Sequence, residues 1–89
     1  MANKRFLKRA IKSICTEIFA ECVAASVYGT ETTKDNGEAL LFSIIRLQND
    51  FISRISHPEP GLAPKLYFKK LREGFSAEAN DIIDQINNL

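Results

Sequence analysis

From Phe68 to the last residue, apolar side chains fall at Phe68, Leu71, Phe75, Ala79, Ile82, Ile86 and Leu89. Steps of three and four residues hold one stripe on an α-helix and would scatter across both faces of a strand. Tyr67 and Ile83 flank the stripe. Gly74 lies inside this segment and weakens a helix by about 1 kcal/mol relative to alanine. The stripe keeps its phase across Gly74, which predicts one helix, straight or bent at the glycine; the alternative is two shorter helices with Ser76 capping the second.

Two more segments show the same period. Leu7, Ile11, Ile14, Ile18, Cys22 and Ala25 share a narrow arc, and Phe19, Val23 and Val27 form a second row beside it at four-residue steps. Gly29 is the expected stop, in the position that tolerates left-handed geometry. The stretch Thr30 to Glu38, TETTKDNGE, reads as a loop, with Asp35 capping the next helix and Glu38 three residues on completing an acidic capping box. Leu40, Leu41, Ile44, Ile45, Leu47, Phe51, Ile52 and Ile55 then fill an arc of roughly 160°, wider than the ~100° stripe of a surface helix.

The connection before the last helix holds the chain's one histidine and all three prolines in the stretch SHPEPGLAPKLYFKK. Pro58 pushes the residue before it out of helical geometry and ends the second helix. Pro60 and Gly61 turn the chain, and Pro64 suits the first turn of the third helix. The expected fold is all-α: one domain over residues 1–89, with helices over about 3–28, 36–56 and 64–88, packed as an antiparallel, up-down-up three-helix bundle.

Size and stripe width together point to self-association. A chain of 89 residues buries a smaller share of its surface than a larger domain does. Helices one and two carry more large apolar residues than a lone bundle hides, and Phe42 lies outside the stripe of helix two. Exposed together they would make a patch that monomers seldom tolerate. A homodimer with two-fold symmetry and a six-helix core is therefore expected. Its interface is assigned to Phe19, Val23, Val27, Leu41, Phe42, Ile45 and Ile52.

Charge is balanced in total, at a formal +1, but not in distribution. Lys4, Arg5, Lys8, Arg9 and Lys12 open the chain without an acid among them, and Lys65, Lys69, Lys70 and Arg72 open the third helix. In an up-down-up bundle these ends share a pole, joined by Arg54 and His57. Glu31, Asp35, Glu38, Asp81 and Asp84 gather at the other. The basic pole is a candidate anion site through Lys4, Arg5, Lys8, Arg9, Lys65, Lys69, Lys70 and Arg72, with nucleic-acid phosphate as the ligand.

Chemistry of the chain's own finds no support. One histidine cannot supply the paired Glu-x-x-His motifs of a di-iron bundle, and nothing beside His57 reads as a nucleophile or an orienting group. Cys15 and Cys22, two helical turns apart, are separated by roughly 10 Å along the axis and cannot pair within one helix; they read as small core residues. No Gly-rich phosphate loop is present. Lys12, Glu17 and Glu21 interrupt any leader-like apolar run, and no segment has the ~20 uncharged residues of a membrane span. The sequence thus reads as a cytoplasmic, non-enzymatic interaction or adaptor module that self-associates and binds an unidentified protein partner, without cofactor or metal; the alternative is a nucleic-acid-associated protein.

Overall fold

The structure, a computed structural model, describes residues 4–89. Among the described residues it is all-helical: α1 spans Lys4–Val27, α2 Glu31–Ser56 and α3 Pro64–Asn87, and no strand is present. The expected start of the first helix at residue 3 lies outside the described residues. The body measures 47 × 19 × 16 Å.

The stripes become the core. Ile11, Cys15, Ile18 and Cys22 of α1 meet Leu40, Ile44, Leu47, Phe51 and Ile55 of α2 and Phe68, Leu71, Phe75, Ala79, Ile82 and Ile86 of α3, and no charged or polar side chain is buried among them. Phe51 stands at the centre of the α2–α3 contact. Its ring meets that of Phe75 edge-on, with centroids 5.4 Å apart, a geometry that aligns the positive edge of one ring with the negative face of the other. The hydroxyl of Tyr67 donates to the backbone oxygen of Arg54 at 2.9 Å, tying the first turn of α3 to the last turns of α2. Gly74 lies within α3 without interrupting it.

The long connection behaves as its prolines require. His57, next to Pro58, leaves helical geometry at φ −128° and ψ 70° and closes α2 by donating its N–H to Ser53. Pro64 occupies the first turn of α3, where a missing N–H costs nothing.

Three expectations fail locally. The stretch Thr30 to Glu38 is not a loop: α2 begins at Glu31, and Thr30, not Asp35, is its N-cap, its hydroxyl accepting the N–H of Thr33 at 3.3 Å. A short polar run with a glycine has poor intrinsic helix propensity. Here a side-chain cap, an acid in the first turn and packing of Gly37 on α1 outweigh it.

The glycine at position 29 also serves a different end, since no glycine among the described residues has positive φ. Its N–H donates to Ser26 at 3.3 Å, and a β-carbon there would overlap the side chain of Thr33. Close approach, not left-handed backbone, is what favours glycine.

Ile14, expected in the core stripe, is 41% exposed, while Cys15 is buried at 1%. The cause is unequal packing: α1 lies against α2 far more than against α3. The helix is turned so that its α2-facing flank is buried and the opposite flank, with Ile14, is left out.

Candidate functional site

The residues assigned to an interface divide into two groups. Phe19, Leu41 and Ile52 are partly buried and pack against the rim of the core. Val23, Val27, Phe42 and Ile45 are exposed, with Phe42 at 70%. None of the seven belongs to the buried core.

The location of three of them follows from one close contact. At Gly37 the backbones of α1 and α2 approach: the thiol of Cys22 donates to the Gly37 oxygen at 3.5 Å, and the Ser26 hydroxyl turns back to the Cys22 oxygen at 2.8 Å. Just outside it, Val23 and Val27 of α1 and Leu41 of α2 line one shallow groove of about 210 Å³, bordered by Lys34 and Glu38. Ile45 lies one turn beyond Leu41, and Phe42 and Ile45 share a separate depression on α2 with Arg46, Asn49 and Asp50, of which Arg46 and Asp50 also line a groove between α2 and α3. Beside the exposed Phe6, Ile14, Tyr28 and Leu66, which line neither depression, the apolar residues left over from the core gather in two places: Val23, Val27 and Leu41 between α1 and α2, and Phe42 and Ile45 on α2. Their rows at four-residue steps, visible in the sequence, are the signal that locates them.

The basic residues are brought together only in part. Arg5, Lys8, Arg9 and Lys12 line one depression of about 410 Å³ on α1. The ion pair seen among the described residues is elsewhere, between Arg54 and Asp50 at 2.8 Å, with the Arg54 guanidinium 4.6 Å from the centroid of the Phe51 ring. Lys4 lies on the same first turns of α1. Lys65, Lys69, Lys70 and Arg72 are exposed on the first turns of α3, and none of them lines the depression that Arg5, Lys8, Arg9 and Lys12 share.

A third groove, about 490 Å³, runs between α2 and α3 past Ser43, Leu47, Asp50, Glu78, Asp81 and Ile82. It is not legible in the sequence, because its lining, which includes the small side chains of Ser43 and Ala77, comes from two helices distant along the chain. Among the described residues, no three His, Cys, Asp or Glu side chains are grouped to hold a metal ion. His57 is exposed at the end of α2. Both thiols are free and buried. Burial pushes the Cys15 thiol above its ordinary pKa; burial does the same at Cys22, partly offset by the Ser26 hydroxyl. Such thiols are poor nucleophiles at neutral pH.

No helix among the described residues is long and apolar enough to cross a membrane. Compared with protein-family models, curated proteins and solved structures, the chain matches none of them.

Proposed function

We propose that this chain is a non-enzymatic interaction module whose own apolar α1–α2 face mediates self-association. One observation carries the reading: Val23, Val27 and Leu41 line a single groove between α1 and α2, and Phe42 and Ile45 stand exposed on α2 beyond it. Large apolar side chains exposed in this number mark a contact site more often than a solvated surface. In the proposed state, two up-down-up bundles meet through this face to give a six-helix core in the cytoplasm, and the assembled pair presents its remaining surface to a protein partner.

The up-down-up arrangement has its own support. At 1.5 Å per residue α1 and α2 are about 36 and 39 Å long, while the whole body extends 47 Å. The end of α1 meets the start of α2 through Gly37 and Ser26, so α2 doubles back beside α1. Residues 51 and 54 of α2 meet residues 75 and 67 of α3 in reversed order, so α3 doubles back again.

The test is Ile45→Asp, followed by sedimentation velocity and far-ultraviolet circular dichroism. Ile45 is half exposed, so the expected result is loss of the dimer mass with helicity kept. Wild-type protein that sediments as a monomer at all concentrations would overturn the reading.

The cluster of Arg5, Lys8, Arg9 and Lys12 favours a second reading, attachment to nucleic-acid phosphate. It requires affinity for short DNA or RNA that falls steeply with salt. Absence of binding at low salt excludes it.

A further inference from the structure

α1 and α3 break a rule that α2 obeys. A helix favours acids in its first turn and bases in its last, because its peptide dipoles leave the N-terminus positive. α2 conforms, with Glu31 in its first turn, Arg54 in its last and Thr30 as a side-chain cap. α1 and α3 have no acid in the first turn, and α3 has no side-chain cap. Residues 4–12 hold five cations and residues 64–72 hold four, with no acid in either stretch.

Cations so placed weaken their own helices. In the up-down-up arrangement, α1 and α3 begin at the same end of the body, whose shorter dimensions are 19 and 16 Å. That width is about two Debye lengths at physiological salt, so the two sets also repel each other. The acids that reach this end, Asp50, Glu59 and Glu73, are fewer, and Asp50 is held by Arg54 at 2.8 Å. The core does not need these cations, since no charged side chain is buried in it. A local rule broken twice at one place, with no gain in packing, points to a functional surface. An extended anion is the partner that relieves it.

Two apolar side chains stand among the cations. Phe6, in the first turn of α1, is 68% exposed, and Leu66, in the first turn of α3, is 44% exposed. Helical side chains lean towards the N-terminus, so both first turns carry these groups towards the end of the body. An aromatic ring can stack on a nucleic-acid base, but a leucine offers a base no ring face. Both side chains are suited to the boundary between lipid headgroups and acyl chains, where cations meet anionic headgroups.

We propose that this pole docks on the surface of an anionic lipid bilayer. The cations of α1 and α3 meet the headgroups, and Phe6 and Leu66 enter the boundary beneath them. The contact rests on the up-down-up arrangement and takes the cations of the second reading to a different partner. A surface contact needs no spanning helix. The groove of Val23, Val27 and Leu41 stays free for self-association, because it lies beside the α1–α2 turn, at the other end of the body.

The experiment is co-sedimentation of the full chain with phosphatidylcholine vesicles, with and without phosphatidylserine, at low and high salt. Binding is expected only where phosphatidylserine is present, and it should weaken as salt rises. Arg5→Glu/Arg9→Glu on α1 and Lys65→Glu/Lys69→Glu on α3 test the two halves of the pole; all four residues are exposed. Each pair is expected to weaken binding at least about tenfold at low salt. Each also puts an acid in a first turn, so each variant should melt at a higher temperature than wild type. That rise separates lost binding from lost folding. Phe6→Ser/Leu66→Ser keeps every cation and is expected to weaken vesicle binding at least about tenfold, with helicity checked by circular dichroism. Wild type that ignores phosphatidylserine vesicles at low salt overturns the proposal. So does vesicle binding that only one of the two charge pairs weakens, or that Phe6→Ser/Leu66→Ser leaves unchanged. Salt-sensitive binding of a short single-stranded DNA without binding to vesicles assigns the cations to nucleic acid; the proposal then falls and the second reading stands.

Discussion

Gly37 lies so close to Ser26 that a β-carbon added at Gly37 would overlap the serine hydroxyl and come within 2.9 Å of its Cβ. The glycine is therefore the point at which α1 and α2 touch backbone to side chain. Gly37→Ala gains about 1 kcal/mol of helix propensity and loses about 1–3 kcal/mol to overpacking. Rotating the hydroxyl away relieves only part of the overlap, since the serine Cβ is also too close. The expected net effect is destabilisation by about 1 kcal/mol or more, seen as a lower denaturant midpoint at unchanged slope. In a Ser26→Gly background the same substitution should become favourable. A double-mutant cycle with no coupling would show that α1 and α2 are further apart at this point.

Gly74, also inside a helix, predicts the opposite sign. A β-carbon there would rest against Phe51 at 3.7 and 3.8 Å, which is ordinary contact. Nothing opposes the gain in helix propensity, and the methyl adds apolar contact to the ring. Gly74→Ala should stabilise by about 1 kcal/mol, which raises the melting temperature of a domain this size by about 4–8 °C. A fall in melting temperature would show that α3 needs a bend that the alanine resists.

The contrast between these glycines explains what could and could not be read in advance. The stripe of α3 and the residues flanking it were legible, because a period of three and four survives one glycine without a change of phase. The first two turns of α2 were not. Their polar residues carry no stripe, and the partner that holds them, Ser26, is distant in sequence. Ile14 was misplaced for a related reason: periodicity locates an apolar arc but not which flank the neighbouring helix covers. Val23, Val27, Leu41, Phe42 and Ile45 were legible as surplus on α1 and α2. The groove between α2 and α3, bounded by small residues on both sides, has no signature in either helix alone.

The start of α2 can be tested by its cap. The Thr30 hydroxyl accepts the N–H of Thr33 and also lies 3.1 Å from the Thr33 hydroxyl. Thr30→Ala leaves that N–H without a side-chain acceptor and should destabilise by about 1 kcal/mol. Thr30→Ser or Thr30→Asp should restore most of the loss. Asp35→Ala should have little effect at about 0.5 M salt, where long-range charge effects are screened, because Asp35 lies in the second turn of an established helix. If Asp35→Ala proves the more damaging, α2 starts later in solution.

The buried thiols give stability a pH dependence that can be isolated. Cys15 and Cys22 are 1% and 0% exposed, and burial raises both pKa values above the ordinary 9.0. In the unfolded chain the thiols lose their protons as pH rises through that ordinary value; in the folded chain they keep them longer. The unfolded state then binds fewer protons, so unfolding becomes easier with rising pH. The contribution is fully present below the unfolded pKa and is lost as pH climbs towards the folded one, at a limiting slope of about 1.4 kcal/mol per pH unit per thiol. The measurement that isolates the thiols is a comparison: denaturant midpoints from pH 7 to 10 for wild type and for Cys15→Ala/Cys22→Ala. The double variant should be less stable at pH 7, because it leaves space in the core, but its stability should fall less between pH 8 and 10. Equal slopes in the two proteins would mean that the thiols reach water in the folded state, and Ellman's reagent would then react with them without prior unfolding.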